Sequence, residues 1–415
     1  MCGSLLNIIL YAVPLFFLLI AIELLLEKAK GTDYYRVNDS INSLTAGVLS
    51  RMTGIIKQLF PLTVYVVAYE QLALFEIEPS WWSWLGAFVI YDFCYYWNHR
   101  LGHEMNILWA AHVVHHSSEE YNLTTALRQS GSSVFSWIFY LPMAILGFDP
   151  IVLITVGSLN LIYQFWVHTR HIPKLGWYEW VFVTPSNHRV HHAQNQIYID
   201  RNYGGVFILW DRIFGSFQEE LDNDKPIYGI RKALKSWNPL WANVHVYSQL
   251  AKDCWHAKRW QDKLLIWFKR TGWRPADVEQ NYPLSKVDLT KFRKFDIPLT
   301  LINKFYSLLQ YLLITFVGLL LMMNVASLTL AEQILVVIFV LYASLSAGLV
   351  MENNPIAIYL EWVKYLLVLI TLLMYSLPEW IEWALGISML INVVVLLFKK
   401  NDIINSTGPL MEANN

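Results

Sequence analysis

The sequence predicts an all-α, polytopic membrane protein: a helical bundle with a histidine-rich cap. Three observations predict it. Hydrophobic residues make up 55% of the 415 and charged residues only 15%, against about a quarter charged in an ordinary soluble domain. Mean hydropathy is +0.36, and 19 Trp and 23 Tyr suit membrane–water interfaces, where one end of the ring is apolar and the other wet. Eight of the 12 histidines fall in three tight groups. The formal charge of −1 argues against a nucleic-acid binder, which carries a basic excess. Cys2, Cys94 and Cys254 are scattered, so neither a disulfide framework nor a cysteine zinc site is expected.

A spanning helix needs about 20 mostly apolar residues. The run 5–26 is the first candidate. Lys28, Lys30 and Arg36 follow it with no small-residue cleavage site, so it reads as an uncleaved anchor with its basic flank in the cytoplasm. The run 44–77 returns outward. A third begins at Trp81-Trp82-Ser83-Trp84 and runs inward to about Trp97, delivering Asn98-His99-Arg100. The stretches 132–148 and 151–167, parted by the turn signal Asp149-Pro150, are short for two full spans and fit a hairpin that enters the bilayer. Residues 172–298 gather prolines, glycines and paired bases such as Lys258-Arg259 and Lys269-Arg270, the composition of a cytoplasmic cap. Residues 300–398 accommodate four more helices, broken near 324–331, 352–355 and 376–379. The expected domains are N-terminal membrane helices at 1–80, a catalytic segment at 81–298, C-terminal membrane helices at 299–400, and a loose tail at 401–415.

The histidine groups carry the chemistry. His99 and His103 are spaced i,i+4, while His112, His115 and His116, and again His188, His191 and His192, are spaced i,i+3,i+4. On a helix these offsets share a face, so each group aims two or three imidazoles at one place. A single histidine in a membrane protein is commonly a hydrogen-bonded core residue. The repeated doublet at helical spacing is not explained that way. Imidazole suits iron, zinc, copper and nickel, and eight ligands exceed the four of a usual zinc site, so two metals are expected. Spacing alone leaves iron and zinc open. A transporter would hold its ligands near the bilayer midplane. These groups lie at span ends, which favours an enzyme acting on lipid.

The words around the boxes extend the pattern. They include Gly102-His103-Glu104, Asn106-Ile107-Leu108-Trp109-Ala110-Ala111-His112, His115-His116-Ser117-Ser118-Glu119, Tyr121-Asn122-Leu123, Thr125-Ala126-Leu127-Arg128-Gln129-Ser130, Tyr163-Gln164-Phe165-Trp166, and the run from Thr184 to Asp211. Over about residues 80–220 the chain resembles the fatty acid hydroxylase and sterol desaturase superfamily, most closely its ether-lipid-cleaving branch. The resemblance implies a monooxygenase with two iron ions, O2 and a lipid substrate of the alkylglycerol type. It implies tetrahydrobiopterin as reductant, with a ferredoxin or cytochrome partner as the alternative. The location implied is the endoplasmic reticulum of a eukaryote or the inner membrane of a bacterium. A sterol or fatty-acyl hydroxylase or desaturase is the neighbouring reading; a non-catalytic metal-binding or transport protein is the remote one.

The expected metal ligands are His99, His103, His112, His115, His116, His188, His191 and His192. The resemblance adds ligands ahead of the last box, and His168 is taken as the ninth. His171, beside Ile172-Pro173, is expected to lie past the helix end, because proline disfavours helix in the residue before it. Asp92 and Glu104 are the candidate catalytic acids. Asp92 lies two turns before His99 and is expected to support the ligands, since an acid in an apolar span is paired or functional. Glu104 points away from the ligands, toward the pterin or a proton path. Asn187 departs from the family pattern, which leads one to expect a further histidine there. Gly204-Gly205 is too short a signal for a nucleotide site.

Overall fold

The computed structural model describes residues 7–131, 135–285, 287–374 and 377–404; of the expected loose tail, 401–404 end a helix and 405–415 lie outside the described residues. Among the described residues the regular structure is helical, with two isolated bridges, Phe182 to Phe207 and Ala193 to Tyr228. In chain order the α-helices are α1 (Asn7–Lys30), α2 (Val37–Lys57), α3 (Leu59–Leu72), α4 (Trp81–Glu104), α5 (Asn106–His116), α6 (Leu123–Ala126), α7 (Leu141–Leu146) and α8 (Pro150–Trp166). There follow α9 (Pro185–His191), α10 (Leu209–Ile213), α11 (Pro239–His256), α12 (Trp260–Phe268), α13 (Ala276–Asn281), α14 (Leu301–Asn324), α15 (Leu330–Met351), α16 (Ile356–Met374) and α17 (Glu379–Ile404).

Among the described residues four helices are long and apolar enough to cross a membrane: Leu301–Asn324, Leu330–Met351, Ile356–Leu373 and Glu379–Phe398. The pair α2 and α3, broken at Gln58, adds a fifth if taken as one span. The protein is therefore a multi-pass membrane protein. The two stretches around Asp149-Pro150 form shorter apolar helices, Ser136–Leu146 and Pro150–Trp166. Contacts group the chain into two compact units. One comprises Met1–Arg36, Gly54–Leu234 and Asn243–Arg293; the other comprises Val37–Thr53, Lys235–Ala242 and Lys294–Asn415.

In the first unit, local sequence sets the helix ends. Ser80 and Ser83 form a reciprocal capping box that starts α4. Met105 is extended (φ −127°, ψ 127°) and breaks the chain from α4 into α5. Asp149 caps α8 by accepting from the Ile151 N–H at 2.6 Å, with Pro150 at the first helical position, where its missing N–H costs nothing. Gly147 ends α7 at φ +100°, and a Cβ there would stand 1.9 Å from the Phe75 carbonyl oxygen. Tyr65, Ala87, Cys94, Met143 and Val156 form a core joining α3, α4, α7 and α8.

The second unit contains α14–α17 around a core that includes Tyr306, Leu313, Val350, Val368 and Leu385. Inside it, Lys364 donates to both oxygens of Glu361 at 2.6 and 2.7 Å, and both side chains are fully buried. Tyr306, Tyr365 and Ser346 also donate to Glu361, and Gln310 links Lys364 to Asn392. Removing one partner of a buried ion pair leaves an unpaired charge, at a cost of about 3–5 kcal/mol. Lys364→Met should therefore destabilise the protein by about that much. Pairing it with Glu361→Gln should recover most of the loss in detergent-solubilised thermal unfolding.

Candidate metal centre

The structure brings nine histidines together in two groups. His99, His103, His112, His116 and His191 have ligand nitrogens within 4.8 Å of one another, as do His115, His168, His188 and His192. The division does not follow the boxes. α5 sends His112 and His116 to one group and His115 to the other; α9 and its C-cap send His191 to the first, and His188 and His192 to the second. Eight of the nine are buried and His112 is half-buried.

Backbone carbonyls orient the rings. The Nδ1 atoms of His99, His115, His168 and His191 lie 2.7, 2.8, 2.8 and 3.0 Å from the carbonyl oxygens of Tyr203, Arg128, Gln164 and Arg201. A ring nitrogen held to a carbonyl carries the proton, which leaves the other free as a ligand. Burial pushes His112, His116, His168, His188, His191 and His192 well below the usual imidazole value, and His115 down to about 4 against the opposing pull of the Arg128 carbonyl. The rings are therefore neutral at pH 7, the state in which imidazole binds metal.

These residues fit a metal. His115 and His168 each give their Nδ1 proton to a carbonyl, so their Nε2 atoms, 3.3 Å apart, are two acceptors facing one another with no proton between them. A cation resolves that arrangement. The Nε2 atoms of His103 and His191 are buried without a hydrogen-bond partner and lie within the first group, so a cation there would satisfy them.

His168 stands two residues beyond the end of α8, with the Tyr121 ring stacked on it at 5.5 Å and 25°. His171 belongs to neither group and lies against Tyr34, ring centroids 5.0 Å apart. Glu104 accepts from Arg100 Nε at 3.1 Å and from the Tyr203 hydroxyl at 3.2 Å, and the Tyr203 ring borders His99, His103 and His191. Asp92 makes no direct hydrogen bond to a histidine. It accepts from the N–H groups of Val206 and Phe207, from Trp210 Nε1 and from Asn160 Nδ2, at 2.7–3.0 Å.

The loop 201–211 explains that position. Asp211, its carboxyl pushed up by burial to about 6, accepts from the Tyr203 and Gly204 N–H groups and from Ser216. A Cβ at Gly205 would come within 2.8 Å of Asp92 Oδ1, so the glycine lets the backbone close on the acid. Folded around two carboxylates, the loop sets the carbonyls of Arg201 and Tyr203 on His191 and His99. Asn187 has a local role: it forms a capping box with Thr184 that starts α9, and its carbonyl accepts from Asn202.

Sequence reasoning missed Glu23. This buried acid of α1 accepts from the Leu123 N–H at 2.8 Å and from the hydroxyls of Thr169 and Tyr35, tying the first helix to the segments beside His168 and Tyr121. Its signal was an acid inside an apolar run. Arg128 was also missed as a support; it is buried, and donates to Ser117 and the Val114 carbonyl while its own carbonyl holds His115.

An all-helical membrane protein with two converging histidine groups is an oxidoreductase of the fatty acid hydroxylase type, and a family model described as fatty acid hydroxylase matches residues 84–216. The alkylglycerol monooxygenase of Homo sapiens is 37% identical over 362 residues, covering 86% of this chain and 81% of that protein. That of Danio rerio is 37% identical over 364 residues, with the same coverage of 86% and 81%. The chain belongs to the alkylglycerol monooxygenase family. An ornithine lipid hydroxylase of Rhizobium tropici is 27% identical over 215 residues, covering 49% of this chain and 63% of that protein. No solved structure matches the chain.

Proposed function

We propose that this monooxygenase hydroxylates the carbon beside the ether oxygen of glycerol ether lipids. The hemiacetal so formed collapses to a fatty aldehyde and a glycerol derivative. One oxygen atom of O2 enters the C–H bond; the other leaves as water with two electrons from the reductant. The observation that carries the reading is the pair of buried histidine groups in a chain 37% identical to alkylglycerol monooxygenase. Two iron ions, held by His99, His103, His112, His116 and His191 and by His115, His168, His188 and His192, would supply the activation of O2. Residues 81–298 form the catalytic domain between membrane helices at 1–80 and 299–400.

The side chains keep the rings neutral, oriented and out of water. Asp92 and Asp211 act as positioning residues through the loop 201–211. Glu104 takes the Tyr203 hydroxyl proton into its hydrogen bond while a quarter of its side chain reaches solvent, so it is the candidate for moving protons at the rim. The bases Lys28 and Lys30 that follow the first apolar run support a site on the cytoplasmic face, of the endoplasmic reticulum in a eukaryote or the inner membrane in a bacterium. Tetrahydrobiopterin is the reductant that the family suggests; a protein electron donor is the alternative.

Purified protein incubated with an alkylglycerol and O2 should yield a long-chain aldehyde when tetrahydrobiopterin is present, and none without a reductant. Turnover of sterol or fatty acid with no ether cleavage would move the chain to the neighbouring hydroxylase reading. Metal flux in proteoliposomes without oxidation would move it to the transporter reading.

A further inference from the structure

Helix α12 has an exposed apolar face that oxidation at the metal centre does not use. At helical spacing Trp260, Leu264, Leu265 and Phe268 share one side, and all four are exposed, Trp260 by 79% and Leu264 by 67%. Ile266, on the opposite side, is fully buried in a cluster with Ala110, Leu250, Ala257 and Val278. Trp255, just before the helix, is 82% exposed. The stretch 255–270 holds five bases, Lys258, Arg259, Lys263, Lys269 and Arg270, and one acid, Asp262. An apolar face flanked by bases suits a helix lying in an anionic lipid interface.

The segment is tied to the end of α4: the Thr271 N–H donates to the Glu104 carbonyl at 3.2 Å, and the Asn106 N–H to the Lys269 carbonyl at 3.0 Å. Asn106 Nδ2 donates to the Ile266 carbonyl at 2.8 Å.

We propose that α12 lies in the headgroup layer as an interfacial anchor that binds anionic lipid. Its apolar face enters the acyl boundary, and its flanking bases meet the headgroups. Its buried face packs on α5, which carries His112, His115 and His116, so the anchor holds the metal centre at a set height above the bilayer. Neither the substrate nor the reductant enters this argument.

The test uses the full chain in nanodiscs of phosphatidylcholine, with and without phosphatidylglycerol. Cys2, Cys94 and Cys254 are replaced, and a nitroxide is attached through Leu264→Cys or, as the control, Lys258→Cys. At position 264 relaxation by oxygen should exceed relaxation by a water-soluble nickel chelate severalfold; at 258 the order should reverse. Phosphatidylglycerol should deepen the 264 label, and Lys258→Gln with Lys269→Gln should remove that deepening. Nickel preference at 264 overturns the proposal. So does spin–spin broadening between two chains with both reagents excluded, which marks a contact between copies, and so does free access to nickel that ends only on adding an acidic protein partner.

Discussion

Alanine at His99 or at His188 should each remove one metal ion per chain, and alanine at both should remove two. Plasma mass spectrometry on purified protein at matched expression reads the result directly. The two residues belong to different groups, so each substitution opens one site and leaves the carbonyl-held rings of the other intact. Turnover should fall in every case by more than about 100-fold, since losing even an outer hydrogen-bond partner of a ligand costs about 10–100-fold in metal affinity or activity. The sharper comparison is within the third box. His191→Ala should combine with His99→Ala with little further metal loss, whereas His192→Ala with His99→Ala should empty both positions. If losses instead follow the sequence boxes, so that His191→Ala and His192→Ala empty the same site, the spatial grouping is wrong.

His168→Ala should lose one metal ion, and His171→Ala should keep both. His168 completes a group of four whose other members are His115, His188 and His192, so its loss opens that site as the loss of His99 opens the other. The Nδ1 of His168 rests on the Gln164 carbonyl and its Nε2 lies 3.1 Å from that of His188, so the ring is held facing the other members of the group. His171 lies against Tyr34 instead. Loss of metal in His171→Ala but not in His168→Ala would reverse the assignment; metal retained in both would confine the site to the eight boxed histidines.

The supports of the site were less legible than its ligands. Asp92 was readable as an acid in an apolar run, which implies a partner. Three of its four partners, Val206, Phe207 and Trp210, are more than a hundred residues away and known only once the loop 201–211 has folded. Glu23 carried the same signal, but hydropathy made α1 read as a plain anchor. Asn187 read as a missing histidine, whereas its side chain caps α9. A loss of pattern in one dimension was a gain of hydrogen bonds in three.

Periodicity and composition by themselves determined the helical membrane class, the four C-terminal helices with their breaks, and the three histidine boxes. Those features depend on residues within one or two helical turns: apolar length, caps, and offsets of three and four. Only the tertiary structure decided which imidazole serves which group. Side chains at i and i+3 on one helix diverge enough for neighbouring rings to face different centres, so α5 and α9 are each shared between the two. Four of the rings are oriented by backbone carbonyls: that of Gln164 lies one helical turn from His168, those of Arg201 and Arg128 lie in loops ten and thirteen residues from His191 and His115, and that of Tyr203 lies more than a hundred residues from His99. Spacing along the chain carries no information about the Tyr203 carbonyl, because it comes into reach of His99 only when the loop 201–211 closes over Asp92 and Asp211.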